Sequence, residues 1–148
     1  MKETKRGRSV VISLVDIYTR WDQFLGPLYA LLSERTPEQS ISHKRMPTMA
    51  QHTEFVGSRP HLHWYEILAD GKSVGAIYLS KQREIGVSIF IHQQRKGYAR
   101  AAVLELMRLH PGKFFANVNP KNEASIKLWE SLGFNLLQVT YESPVHRS

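Results

Sequence analysis

Between Glu84 and Leu109 the chain changes its hydrophobic period within a few residues, and that change limits what it can fold into. Glu84 to Ile91 is dense in β-branched and aromatic residues, which suit a buried strand. His92 to Lys96 is polar. From Gly97 onward, Ala99, Ala102, Val103, Leu106 and Leu109 recur on one helical face, until His110-Pro111-Gly112 stops the helix. A strand that runs straight into a helix leaves the first helical N–H groups unpaired and pointing into the turn. Together with the helix dipole they form an anion site. The turn here is Gln94-Arg95-Lys96-Gly97-Tyr98-Ala99. Gly97 and Ala99 let a ligand come close to the backbone, and Arg95, Lys96 and Arg100 add positive charge. Taken alone, such a turn is more often a plain strand-to-helix connection with a solvated basic edge, since short glycine motifs match often by chance.

The chain has 148 residues, enough for one domain with a proper core, so residues 1–148 are read as a single unit. It contains no cysteine, which excludes disulfides, thiolate metal sites and a cysteine nucleophile. Net charge is +7, and Lys2, Lys5, Arg6 and Arg8 crowd one end, so residues 1–8 read as a flexible basic tail. The apolar run Val10 to Val15 is too short for a signal-peptide core or a membrane span, and a cytoplasmic location with no membrane partner is expected. Basic residues are not interleaved with aromatics along a stacking surface, so nucleic acid is not the expected partner.

Ser9 to Val15 reads as a first strand. Trp21, Phe24, Leu25, Leu28, Leu31 and Leu32 follow at helical spacing, with Gly26-Pro27 predicting a kink or two short helices. Glu34 to Pro47 reads as a loop. Thr48 to Val56 reads as a short helix with a Thr48/Gln51 capping box and with Phe55 and Val56 facing inward. His63 to Leu68 and Val74 to Leu79 flank the hairpin signal Asp70-Gly71, and the meander continues into Glu84–Ile91. Lys113 to Val118 is a strand reached through a helix, so it should lie parallel to Glu84–Ile91. Asn122 to Leu132 is a helix closed by Gly133, and Asn135 to Glu142 reads as a last strand.

Gln94-x-x-Gly97-x-Ala99, after an apolar strand and before a helix, resembles the acetyl-coenzyme A pyrophosphate loop of the GNAT superfamily of N-acetyltransferases. Phe115 to Phe134 resembles the strand and helix that follow in that family, with Asn122-x-x-Ser125-Ile126 and the ending Leu132-Gly133-Phe134. The resemblance covers roughly Gly71 to Tyr141 and is weak before it. It implies a single α/β (α+β) domain: a mixed, mostly antiparallel sheet with a splayed parallel strand pair, flanked by helices. It also implies acetyl-coenzyme A as acyl donor, no metal, and direct transfer to an amine acceptor. That acceptor is an amino sugar, another small amine or a protein N-terminus, and a homodimer is left open.

By the same resemblance, the pantetheine arm of the cofactor would run along Ser88, Ile89, Phe90 and Ile91. Gln94, Arg95, Lys96, Gly97, Tyr98, Ala99 and Arg100 would hold the pyrophosphate. Asn122 and Ser125 would reach the far end of the cofactor, although Asn122 also reads as a plain N-cap. Trp129 stands where many relatives carry a tyrosine. Its indole N–H has no useful acidity, so it would pack against cofactor or core. Glu84 is then the expected base, with Tyr141 as donor to the leaving sulfur. His52, His63 and His92 are further base candidates by their usual pKa. Ser40 to Pro47 would line the acceptor site. The competing reading is a non-catalytic module of the same fold that binds coenzyme A or nucleic acid.

Overall fold

The computed structural model describes residues 2–5, 8–35 and 45–145. Strands β1 (Lys2–Lys5), β2 (Arg8–Asp16), β3 (His63–Ala69), β4 (Lys72–Leu79) and β5 (Ile85–Ile89) form one antiparallel sheet in sequence order. Successive side chains on a strand point to opposite faces, and the two faces meet two sets of helices. On one face Ile67, Ile77, Leu79 and Ile85 pack with α3 (Tyr98–Leu109), joined by Trp129 of α4 (Glu123–Ser131). On the other, Trp64 and Ala76 pack with Phe24, Leu28 and Leu31 of α1 (Trp21–Ser33) and Val56 of α2 (Met49–Gly57).

Local chemistry sets most element ends. Thr48 and Gln51 form the capping box of α2 in both directions. Asp70 and Gly71, at φ 49 and 80, make a tight β3–β4 turn of the hairpin type. Val74 is the extra residue of a β-bulge, since Ile67 pairs with Gly75 and Leu68 with Ser73. Gly133 (φ 85) closes α4: its N–H donates to Glu130 O, Phe134 N–H donates to Trp129 O, and the Phe134 ring lies 4.9 Å from that of Trp129. This is a Schellman motif with its apolar contact.

Several expectations are corrected. Lys2–Lys5, expected in a basic tail, pair antiparallel with β2. Helix α1 runs unbroken through Gly26-Pro27, because one apolar stripe, Phe24, Leu28 and Leu31, anchors both sides of the proline to the sheet. Phe55 is 41% exposed rather than inward-facing; its ring edge meets His61 and Trp64 at the rim of the core. Lys113–Val118 is not a regular strand, and its parallel pairing is confined to one bridge, Glu84 with Phe115. Asn135–Glu142 forms no strand either, and Leu136, Leu137 and Val139 are exposed there. Strand propensity is a preference for packed, pleated surroundings, and among the described residues no strand pairs with this stretch.

One group in the fold ties stability to pH. Glu66 on β3 is fully buried; Ser73 Oγ donates to one carboxyl oxygen, and the other has no partner among the described residues. Burial pushes its pKa up to about 7, against a smaller lowering by Ser73. Below the ordinary glutamate value both folded and unfolded chains hold the proton. As pH rises toward 7 only the unfolded chain loses it, so folding stability falls, by about 3 kcal/mol across that window. Thermal unfolding should therefore shift down by several degrees between pH 5 and pH 7.5. Glu66→Gln should flatten that dependence, as read by calorimetry at both pH values.

Candidate active site

The β5-to-α3 connection is built as the residue pattern requires. A 3₁₀ turn (Ile91–Gln93) follows β5, and Gln94 Nε2 reaches back to Ile89 O at 3.0 Å. Glu34, at the end of α1, accepts from Ile91 N–H at 2.8 Å and fixes the turn to the helical layer. Arg95 (φ 64) and Gly97 (φ 82) then adopt left-handed backbone, and Gly97 is the N-cap of α3. Among the described residues, no backbone carbonyl accepts from the N–H groups of Arg95 through Arg100; the first such bond is Ala101 N–H to Gly97 O. Six consecutive donors at a helix N-terminus, beside Arg95 and Arg100, fit a pyrophosphate. Lys96 is turned aside to Gln93 Oε1 at 3.1 Å, Tyr98 is buried in the core, and Ala99 sits in the first turn of α3.

A split opens beside β5. Phe115 donates to Arg83 O at 2.9 Å and accepts from Ile85 N–H at 2.8 Å, which makes the single parallel bridge at Glu84. No backbone bond joins residues 86–91 to 116–120 among the described residues. The narrow end is clamped by Arg83: Nε donates to Lys113 O at 3.0 Å, a terminal nitrogen donates to His110 O at 2.7 Å, and the guanidinium lies 4.6 Å from the Phe114 ring centre. Backbone groups alternate sides along a strand, so Val87 and Ile89 face the split as Ile85 does. Ser88 faces β4, Phe90 N–H donates to Val74 O, and Ile91 belongs to the 3₁₀ turn.

Glu84 stands at the foot of the split, half-buried, on the sheet face shared with Gly86, Ser88 and Phe90. Ser80 Oγ donates to its Oε1 at 3.2 Å, and Asn117 Nδ2 donates to its Oε2 at 2.6 Å from across the split. Sequence reasoning missed Asn117, Ser80 and Val87. The legible signal for Asn117 was the alternation Phe115, Asn117, Asn119.

Other expected residues lie elsewhere or are occupied. Asn122 Oδ1 caps Ser125 N–H at 3.1 Å, and Ser125 Oγ accepts from Trp129 Nε1 at 3.2 Å. Trp129 is core. Tyr141 is 92% exposed on a segment with no helix or strand. His52 is buried between α1 and α2, and His63 stacks on His110 at 3.8 Å. His92 is exposed. Of Ser40–Pro47, residues 40–44 lie outside the described residues; Pro47 O accepts from Tyr29 Oη at 2.7 Å. A surface cleft of about 320 Å³ opens on the α1–α2 side, lined by Tyr18, Trp21, Thr53, Val56, Gly57 and Arg59, separate from the Glu84 site.

No curated protein matches the chain. Among solved structures it is similar to a domain from Methanocaldococcus jannaschii, with 25% identity, TM-score 0.71, and 90% of this chain and 92% of that one covered. A ribosomal-protein-alanine N-acetyltransferase from Brucella melitensis superposes with TM-score 0.66 at 19% identity, covering 84% of each chain. The protein yncA from Salmonella typhimurium, in a structure with its cofactor acetyl-CoA, superposes with TM-score 0.63 at 18% identity, covering 86% of this chain and 80% of that one. The family model described as acetyltransferase (GNAT) family matches residues 26–134, a span that holds the split, the donor-lined turn and the Schellman-closed helix, and the chain belongs to that family.

Proposed function

We propose that the protein transfers an acetyl group from acetyl-coenzyme A to a primary amine by direct attack. The observation that carries this reading is the run of N–H donors from Arg95 to Arg100 with no backbone acceptor among the described residues, placed at the open end of a split whose foot holds Glu84. Bound acetyl-coenzyme A supplies an acetyl group activated as a thioester. The N–H groups and the Arg95 and Arg100 side chains hold its pyrophosphate. Val87 and Ile89 offer strand-type hydrogen bonds to the pantetheine arm within the split. Ser80 and Asn117 fix the Glu84 carboxylate, which takes the amine proton directly or through one water. The net charge of +7 favours encounter with so anionic a donor.

The test is incubation with acetyl-coenzyme A and a panel of amino sugars, other small amines and N-terminal peptides. Thiol release and acceptor mass are followed together. Thiol release matched by acetylated acceptor is the expected result. Tight cofactor binding with no thiol release for any amine favours the non-catalytic reading.

A further inference from the structure

Tyr78 on β4 pairs directly with Gly86 on β5, so the two share the α1 face of the sheet with Glu84. The tyrosine ring lies across Gly86. A Cβ added there would meet Tyr78 Cε2 and Cζ at 2.2 Å and the hydroxyl oxygen at 2.5 Å, so only glycine leaves room. The phenol end is thus carried over β5, two residues past the bridge that begins the split. His61 stacks on the ring at 3.8 Å with 7° between planes. The His61 backbone is itself held twice by Tyr18, whose hydroxyl donates to His61 O and accepts from His61 N–H, each at 2.9 Å. The Tyr78 hydroxyl makes no hydrogen bond among the described residues, although the residue is half-buried.

Resting on the acetyl-transfer reading, we propose that the Tyr78 hydroxyl is the hydrogen-bond donor to the carbonyl oxygen of the reacting thioester. The two other aromatic candidates do not serve: Trp129 Nε1 is committed to Ser125, and Tyr141 is 92% exposed. Burial is the largest influence on Tyr78 and lifts its pKa above the ordinary tyrosine value; Arg35 opposes this, and the charge of Glu84 adds to it. A phenol so held keeps its proton and donates without giving it up. That is what a fixed donor to developing negative charge requires, and no proton transfer has to be balanced.

Tyr78→Phe keeps the ring, the stack on His61 and the fit over Gly86, and removes only the donor. Turnover should fall about 10- to 100-fold, while acetyl-coenzyme A affinity falls by no more than about 10-fold and the melting temperature stays at the wild-type value. Unchanged turnover overturns the proposal. A second readout needs no acceptor: the carbonyl carbon resonance of bound [1-¹³C]acetyl-coenzyme A should lie further downfield in the wild type than in the variant. Identical bound resonances overturn the assignment even if the amine is never identified. Absence of any bound resonance in the wild type overturns the acetyl-transfer reading as well, and so separates the two failures.

Discussion

Gly97→Asp should abolish acetyl-coenzyme A binding in calorimetry while leaving the protein folded. Gly97 is the N-cap of α3 at φ 82, and the unpaired N–H groups from Arg95 to Arg100 surround it. Aspartate is a strong N-cap residue, so its carboxylate would satisfy helix donors that otherwise wait for a ligand. It would then repel the incoming pyrophosphate. At about 4 Å and an effective dielectric near 20, each unit of like charge costs about 4 kcal/mol, or roughly three orders of magnitude in affinity. Left-handed backbone adds about 1–2 kcal/mol of strain for a non-glycine residue, and Gly97→Ala isolates that part. The alanine variant should lose no more than about 30-fold in affinity, the aspartate variant far more. Equal losses in the two would remove charge as the cause.

The donor-lined turn was legible because every part of it is local. The switch of period at Gly97, the stop at His110-Pro111 and the small residue at each close approach all lie within one stretch. Thr48/Gln51 and Gly133 were legible for the same reason, since caps are fixed by three or four neighbouring residues. Tyr78 over Gly86 was not, because it depends on the exact register of β4 on β5. Asn117 reaching Glu84 depends on a loop that approaches from 33 residues away. The expected strand over Asn135–Glu142 failed in the opposite way: its residues fit a pleated surface, and the fold supplies no such partner there.

Glu84→Gln should lower kcat by about 10²-fold, the usual size of a general-base effect, with acetyl-coenzyme A affinity nearly unchanged. The substitution is nearly isosteric, and it can keep both neighbours. A glutamine oxygen can accept from Asn117 Nδ2 while its amide nitrogen donates to Ser80 Oγ. Only the ability to take a proton is lost. The acidic limb of the pH–rate profile should disappear with it. If the variant keeps both the rate and that limb, Glu84 is only a strand-end carboxylate. His63, on β3 two strands away from β5 and stacked with His110, is the next residue to change.

The Arg83 clamp gives the split a mechanical property. Three contacts on Lys113, His110 and Phe114 pin the chain where the bridge forms, and among the described residues no ladder joins 116–119 to β5. That segment, with Ala116 and Val118 packed against the α3-side core, is therefore a lever with its fulcrum at Phe115. Four residues of extended chain reach about 13 Å, so a swing of about 10° at the fulcrum moves the tip by about 2 Å and the bridge itself hardly at all. A swing of that kind would change the width of the split by rotation, without breaking any bond in the five-stranded sheet. The hand on that lever is Asn117, whose grip on Glu84 couples the width of the opening to the position of that carboxylate.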